Sequence, residues 1–291
     1  MSTADLAERA RIWLFVPGDR HERFEHAARS RADVVVLDWE DSVAHDQKDP
    51  ARDAVLRHLS RTDHACAVRI NPPGTDHYHA DVAALSTHGS SPRLVMLPKA
   101  EEPETIEELA AQLPSGSTIV ALIESALGVS RAADIARVAS VGRLALGTFD
   151  LAAELGIDPD FWPAFHGARQ GLVLGSAIGG LAGPIDGVTG AVRDLGQLRR
   201  DVTAAMRLGF AGKLCIHPDQ VTEARTALTP SAQTVRWAET VLQAVGGAAP
   251  DQSGVVVVDG RMVDAPVVRR AQRILSDVGR IQAIPDGPNE R

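Results

Sequence analysis

Apolar runs recur along the chain at steps wide enough to hold a helix between most of them. They read IWLFVPG (12–18), DVVVLDWED (33–41), ACAVRINP (65–72), RLVMLPKA (93–100), TIVALIES (118–125), RLALGTFD (143–150), PIDGV (184–188) and KLCIHP (213–218). Several are apolar throughout, which suits parallel strands covered on both faces. Helical spacing fills the gaps. HERFEHAARS brings Phe24, Ala27 and Ala28 to one face, and DPARDAVLRHL does the same with Ala51, Ala54, Val55 and Leu59. EPETIEELAAQL carries acids in its first turn, where the helix dipole favours them. LGQLRRDVTAAMRLGF gathers Leu198, Val202, Ala205 and Met206 and closes on Gly209. Eight strands with intervening helices predict an α/β fold, a (β/α)8 TIM barrel, with a doubly wound open sheet as the alternative.

The pattern changes after residue 228. TPSAQTVRWAETVLQAV reads as a helix with Thr229 as N-cap and Pro230 at N1. GGAAPDQSG (246–254) reads as a loop, and VVVVDGRMVDAPVVRRAQRIL as a hairpin feeding a last helix. The expected organisation is a catalytic barrel over 1–228 and a C-terminal helical and hairpin extension over 229–291. That extension would pack on the barrel or on a neighbouring subunit.

In a barrel of this kind the C-terminal strand ends carry the chemistry. Here those ends are polar. Strand 2 runs from Val34–Leu37 straight into Asp38, Glu40 and Asp41, and strand 3 ends in Arg69 and Asn71. Lys99, Glu124, Asp150 and His217 end strands 4, 5, 6 and 8. Glu124 and Asp150 end consecutive strands, so their carboxylates can converge on one cation such as Mg²⁺. The alternative is that each caps a helix or pairs with a nearby arginine. Arg69 is either a bidentate carboxylate clamp or a structural rim residue. Lys99 is expected to pair with the acids of strand 2, and His217 to hydrogen-bond in the rim. GLVLGSAIGGLAG (171–183) fits neither dinucleotide nor phosphate-loop spacing, so close helix packing explains it better.

Composition narrows the setting. The 291 residues are 44% apolar and 23% charged, enough for a sizeable core. A net charge of −8 without a basic block argues against nucleic-acid or anionic-membrane partners. The two cysteines, Cys66 and Cys215, sit inside apolar runs and read as reduced core residues. No window approaches the roughly 20 apolar residues of a membrane span. The N-terminus lacks the pattern of a signal peptide, so a cytoplasmic protein is expected.

Taken together these stretches resemble the citrate lyase β-subunit-like branch of the HpcH/HpaI aldolase family, with its malyl-CoA and citramalyl-CoA lyases. LFVPGDRHERFEHA, VVLDWEDSVAHDQKDPAR, VRINPPGT, LPKAE, IESALG, LGTFDLAAELG, GPIDGV, GFAGKLCIHPDQV and GRMVDAPVVRRAQRIL follow in the family's order. The resemblance implies Mg²⁺, or Mn²⁺, on Glu124 and Asp150. It implies that Arg69 grips the carboxylate of the keto-acid half, and that Glu40 and Asp41 order the waters around the metal. Phe15 and Arg20 match positions on the CoA side, and Phe149, Ile216 and His217 join them as substrate contacts. Asp264 matches an acid delivered into a neighbouring subunit's site, and it also stands where an N-cap would. A homotrimer, sometimes doubled to a hexamer, is implied. Two departures stand out. His26 replaces a common lysine, and DHYHAD (76–81) stands where the family tends to carry an aromatic turn, a change that could reshape the acyl pocket.

The expected reaction is reversible cleavage of a β-hydroxyacyl-CoA thioester, malyl, citramalyl or citryl, to a 2-oxo acid and acetyl-CoA. The alternatives are a class II aldolase on free hydroxy-keto acids, a thioesterase or malate-synthase-like activity, and a citrate lyase complex subunit acting on an acyl-carrier-protein thioester. A binding protein without turnover would not need Glu124, Asp150 and Arg69 together.

Overall fold

The structure is a computed structural model that describes residues 1–87, 89, 93–246, 256–258 and 260–282. Strands β1 (Ile12–Pro17), β2 (Val34–Asp38), β3 (Cys66–Arg69), β4 (Leu94–Leu97), β5 (Thr118–Ile123), β6 (Val141–Leu146), β7 (Ile185–Asp186) and β8 (Gly212–Cys215) are parallel and close into one barrel. The closing pair is β8 on β1, through Lys213 beside Ile12 and Leu214 beside Trp13. That pairing removes the open-sheet alternative. Asp38 and Arg69 are the last paired residues of β2 and β3, whereas Glu40, Asp41, Asn71, Lys99, Glu124, Asp150 and His217 lie just past the ends of their strands.

Alternation sorts each strand into two shells. Trp13, Val36, Ala67, Leu122, Ala145 and Leu214 form the barrel interior. Their neighbours Leu14, Leu37, Val68, Ile123, Leu144 and Cys215 pack outward against the helices. One further step of two residues along the same face reaches Phe15, Asp38, Arg69, Glu124, Gly147 and Ile216. The mouth is therefore the next interior layer, where apolar filling gives way to chemistry. The opposite mouth is closed by the helix Thr3–Arg9, whose Ala7 joins the interior cluster and whose carbonyl accepts from Arg143 Nη1 at 2.8 Å.

The outer helices follow the expected ranges, with Lys48–Leu59, Pro103–Gln112 and Leu195–Leu208 all formed. Gly209 ends the last of these in the left-handed region, at φ +112°. The segment from His21 is a 3-10 turn, His21–Arg23, followed by a helix, Phe24–Ala28, with Phe24 and Ala27 buried. The glycine-rich run lies in the helix His166–Ile178 and just beyond it. A Cβ on Gly175 would stand 2.8 Å from the Ala132 backbone, and one on Gly179 would stand 2.6 Å from Ala136 Cβ. Close packing on the helix Ala132–Ala136 is what these glycines serve. Cys66 and Cys215 are free thiols, and burial pushes each up to about 12.

A second compact unit begins at Thr229. Its helices Ala232–Ala244 and Ala265–Gln282 enclose a small core of Ala238, Val241, Val263, Val268 and Ala271. Strands β9 (Val256–Val258) and β10 (Arg261–Val263) form the antiparallel hairpin that leads into the last helix. The first helix is capped by Ser231, whose Oγ accepts from the Thr234 N–H at 3.1 Å, and not by Thr229. The helix starts two residues later than Thr229 would allow, because Pro230 falls ahead of the cap. Apart from Gly246, the loop expected at 246–254 lies outside the described residues.

Candidate active site

Arg69 and Asp38 form the base of the mouth. Arg69 Nε and Nη2 each donate at 2.7 Å, one to either oxygen of Asp38. Ser42 Oγ and the Glu40 N–H also donate to Asp38. Burial works against charge on both groups, but their mutual attraction outweighs it, with Ser42 and the Glu40 N–H helping Asp38 and with Glu40 and Asp41 helping Arg69, so the Asp38 carboxyl is lowered and Arg69 is raised. The Arg69 guanidinium lies 4.8 Å from the centre of the Phe15 ring, a stacked cation. Phe15 thus supports Arg69 from β1.

Glu40 is 5% exposed and stands second in line for the same arginine. Its Oε2 is 2.7 Å from Arg69 Nη1 but makes no hydrogen bond among the described residues. Burial pushes its carboxyl up to about 8, and the charges of Glu124, Asp41 and Asp38 add to this against the pull of Arg69. The shift is in the expected direction, since Asp38 already occupies the guanidinium fork. Asp41 is exposed, 3.5 Å from Arg69 Nη1.

The loop that presents Glu40 is held from behind by Lys48. Its Nζ donates to the Trp39 and Glu40 carbonyls at 2.7 and 2.9 Å and to Asn71 Oδ1 at 2.8 Å. Asn71 in turn donates to Asp81 from its backbone and its Nδ2, both at 2.7 Å, and Arg52 Nε donates to Asp81 at 2.5 Å. Sequence reasoning passed over Lys48 and Asp81. Their signal was a lysine and an aspartate spaced for the buried face of helices that otherwise look exposed. The DHYHAD segment begins the helix Asp76–Thr87. Tyr78 and Asp81 are buried in it, and His77 meets His45 at 2.8 Å and Arg52 at 3.2 Å. These contacts tie the segment to the helix Lys48–Leu59 and, through Asp81, to Asn71 just after β3.

Glu124 follows β5 directly, and Asp150 lies in the first turn of the helix Thr148–Leu155 after β6. Glu124 is 5% exposed. Burial pushes its carboxyl up to about 7, with the Asp150 charge adding to this. Gly147 makes the space: a Cβ there would fall 2.5 Å from Glu124 Cβ and closer still to Oε2. Lys99 does not pair with the strand 2 acids. Its N–H donates to Glu124 Oε1 at 2.9 Å, and its Nζ lies 3.5 Å from Asp150 Oδ1. Two carboxylates whose mutual repulsion is relieved by a proton or a cation fit a hard divalent ion. Among the described residues no group of three or more His, Cys, Asp or Glu is placed to hold a metal ion.

The other residues predicted on the barrel lie near the ends of its strands. Phe149 and Ile216 are exposed apolar side chains, at 45% and 38%. Arg20 and His26 are exposed on the segment after β1. His217 makes local contacts, its Nδ1 accepting from the Asp219 N–H at 3.2 Å. Asp264 belongs to the second unit, where its carboxylate caps the last helix by accepting from the Val267 N–H at 3.2 Å. A cleft of about 190 Å³ opens beside Lys99, between Pro72–Pro73 and Glu101–Thr105.

The chain belongs to the HpcH/HpaI aldolase/citrate lyase family, whose profile matches residues 11–218. It is 37% identical over 274 residues to a citrate lyase subunit beta-like protein of Mycobacterium tuberculosis, covering 92% of this chain and 95% of that one. It is 32% identical over 286 residues to a (3S)-malyl-CoA thioesterase of Cereibacter sphaeroides, covering 96% and 98%. The solved structure of CitE from M. tuberculosis in complex with magnesium, acetoacetate and coenzyme A superposes with a TM-score of 0.81 at 34% identity, covering 94% and 99%. No helix among the described residues is long and apolar enough to cross a membrane.

Proposed function

We propose that this protein is a divalent-metal-dependent carbon–carbon lyase that cleaves a β-hydroxyacyl-CoA thioester to a 2-oxo acid and acetyl-CoA. The observation that carries the reading is the buried Glu124 carboxyl, raised by its surroundings and by Asp150, in the same interior layer as Arg69. Support comes from the relative that is solved with magnesium, acetoacetate and coenzyme A. Glu124 and Asp150 are the residues that would hold Mg²⁺, or Mn²⁺. When bound, that ion supplies Lewis-acid polarisation of the substrate's oxygens.

The chain's own residues do the rest. Arg69 presents its remaining N–H groups to the carboxylate of the oxo-acid half, pre-oriented by Asp38 and Phe15. Glu40, buried beside Arg69 Nη1, takes the proton on the β-hydroxyl. The C–C bonding pair then passes to the thioester side as the enolate, and the hydroxyl carbon becomes the carbonyl of the 2-oxo acid. Asp264 of a neighbouring subunit protonates the enolate carbon. Phe15, Arg20, Phe149, Ile216 and His217 contact the thioester side, and Asp41 orders water at the mouth. We place the protein in the cytoplasm as a homotrimer or a pair of trimers. A second reading, hydrolysis of malyl-CoA, is favoured by the thioesterase among the relatives.

The test is incubation with Mg²⁺ and malyl-, citramalyl- and citryl-CoA, following 2-oxo acid, acetyl-CoA and free CoA, with Glu124→Ala as control. Metal-dependent release of a 2-oxo acid and acetyl-CoA, lost in Glu124→Ala, is the expected result and names the acyl group. Free CoA without a 2-oxo acid selects the thioesterase. No turnover of any thioester overturns both and moves the substrate to an acyl carrier protein or a free hydroxy-keto acid.

A further inference from the structure

Lys99 has a backbone that L residues rarely adopt. Its φ is +48°, and among the described residues only Arg31 is another non-glycine with positive φ. An outlier of this kind beside a reactive site asks for a function. The turn puts one residue on both carboxylates of the pair. The backbone N–H of Lys99 donates to Glu124 Oε1 at 2.9 Å, and its ammonium stands 3.5 Å from Asp150 Oδ1. The two contacts differ in kind. The first is a backbone contact on a buried side chain, fixed by the fold. The second joins two half-exposed side chains, 49% and 39% open, at the loose end of a flexible stem.

We propose that Lys99 is the resident counter-cation of this site: it partners Asp150 while no divalent ion is held and gives that carboxylate up when one binds. The inference rests on the metal reading above and goes beyond it by naming the residue that competes with the metal. Two neighbouring carboxylates without a cation repel each other and weaken the mouth. A lysine beside them relieves the repulsion without blocking the pair, because a single positive charge is outbid by a double one. The left-handed turn keeps the N–H on Glu124 throughout, so only the Asp150 contact has to exchange. The expected consequence is a site that stays ordered without metal, at the expense of metal affinity.

The experiment titrates the full chain with Mg²⁺ alone, by calorimetry and by thermal melting, without following activity. The proteins are wild type, Lys99→Met, Lys99→Gly, Lys99→Arg and Glu124→Gln. Lys99→Met is expected to melt lower than wild type in chelator and to bind Mg²⁺ about fivefold tighter, the upper range for a half-exposed ion pair. Lys99→Gly removes the charge and suits the backbone, so it should bind tighter as well, even where the methionine variant folds poorly. Lys99→Arg should keep wild-type affinity. Unchanged or weaker binding in Lys99→Gly and in any folded Lys99→Met overturns the proposal while leaving the metal site standing. A wild type that binds no more Mg²⁺ than Glu124→Gln overturns the metal reading itself, and this inference with it.

Discussion

Arg69 and Asp38 close a two-point lock across β2 and β3, with Nε on one carboxylate oxygen and Nη2 on the other, both at 2.7 Å. The two residues are register partners in the sheet, so the backbone already sets them side by side. Asp38 is 1% exposed, and its lock leaves Nη1 to Glu40 Oε2 at 2.7 Å and Asp41 Oδ2 at 3.5 Å. Asp38→Ala leaves a buried arginine without its main partner. That should cost about 3–5 kcal/mol of stability in urea unfolding. The substrate KM should rise more than kcat falls, because the clamp loses its orientation. A stability within about 0.5 kcal/mol of wild type would show that Glu40 takes over the fork.

Glu40 gives the metal-free protein an inverted pH response. Burial holds its carboxyl near 8, whereas an unfolded glutamate titrates near ~4.3. Between those values the folded chain binds more protons than the unfolded one, so stability falls as pH rises. The contribution is complete below about pH 4 and is lost as pH passes through about 8. Glu124, near 7, acts in the same direction. Melting temperatures in chelator, read from about pH 6 to pH 9, should decline for wild type. Glu40→Gln, neutral throughout, should flatten the decline. A wild-type curve as flat as the variant's would mean that Glu40 is charged across the range.

The barrel is legible in the chain because its strands are solidly apolar, and the step of two then points to Phe15, Arg69 and Glu124 at the rim. Side-chain partnership was less legible. Lys99 looked free to reach the strand 2 acids, but its left-handed backbone commits it to the β5 and β6 side. The strand 2 acids are served by Arg69, and the lysine that holds their loop is Lys48, which grips the Trp39 and Glu40 carbonyls from a helix ten residues past Asp38, where nothing in the strand pattern points to it. Gly147 was invisible for a different reason. A glycine between an apolar strand and a helix reads as a turn, yet its φ of −99° asks for no special freedom, and only the neighbouring Glu124 shows that the space is needed.

That space yields a sharp test. Gly147→Ala puts a methyl group onto the Glu124 carboxylate and its Cβ. No backbone strain is involved, so the effect is steric. Overpacking of this kind costs about 1–3 kcal/mol. The larger effect should be on metal: the rise in melting temperature with Mg²⁺ should disappear while far-ultraviolet circular dichroism stays that of a folded barrel. A retained Mg²⁺ response would show that Glu124 can swing clear and still serve.

Lys48 reaches the reaction only through the loop it holds. It is 8% exposed, and burial lowers its ammonium despite the nearby acids Asp38 and Asp81. Its three acceptors differ in what they have left without it. Without it the Trp39 carbonyl still accepts from Asn71 Nδ2 and the Glu40 carbonyl from the Val43 N–H, both at 3.0 Å, whereas Asn71 Oδ1 loses its donor. Lys48→Met keeps the stem and removes the ammonium, so about 1–3 kcal/mol of stability should go with the stranded Asn71 Oδ1. If Lys48 only stabilises, kcat of the surviving folded protein at low temperature should match wild type. If it positions Glu40, kcat should drop at least about tenfold with little change in KM, the mark of an interaction made in the transition state. We expect the second pattern, because the Glu40 carbonyl that Lys48 grips belongs to the same residue whose carboxyl would carry the proton.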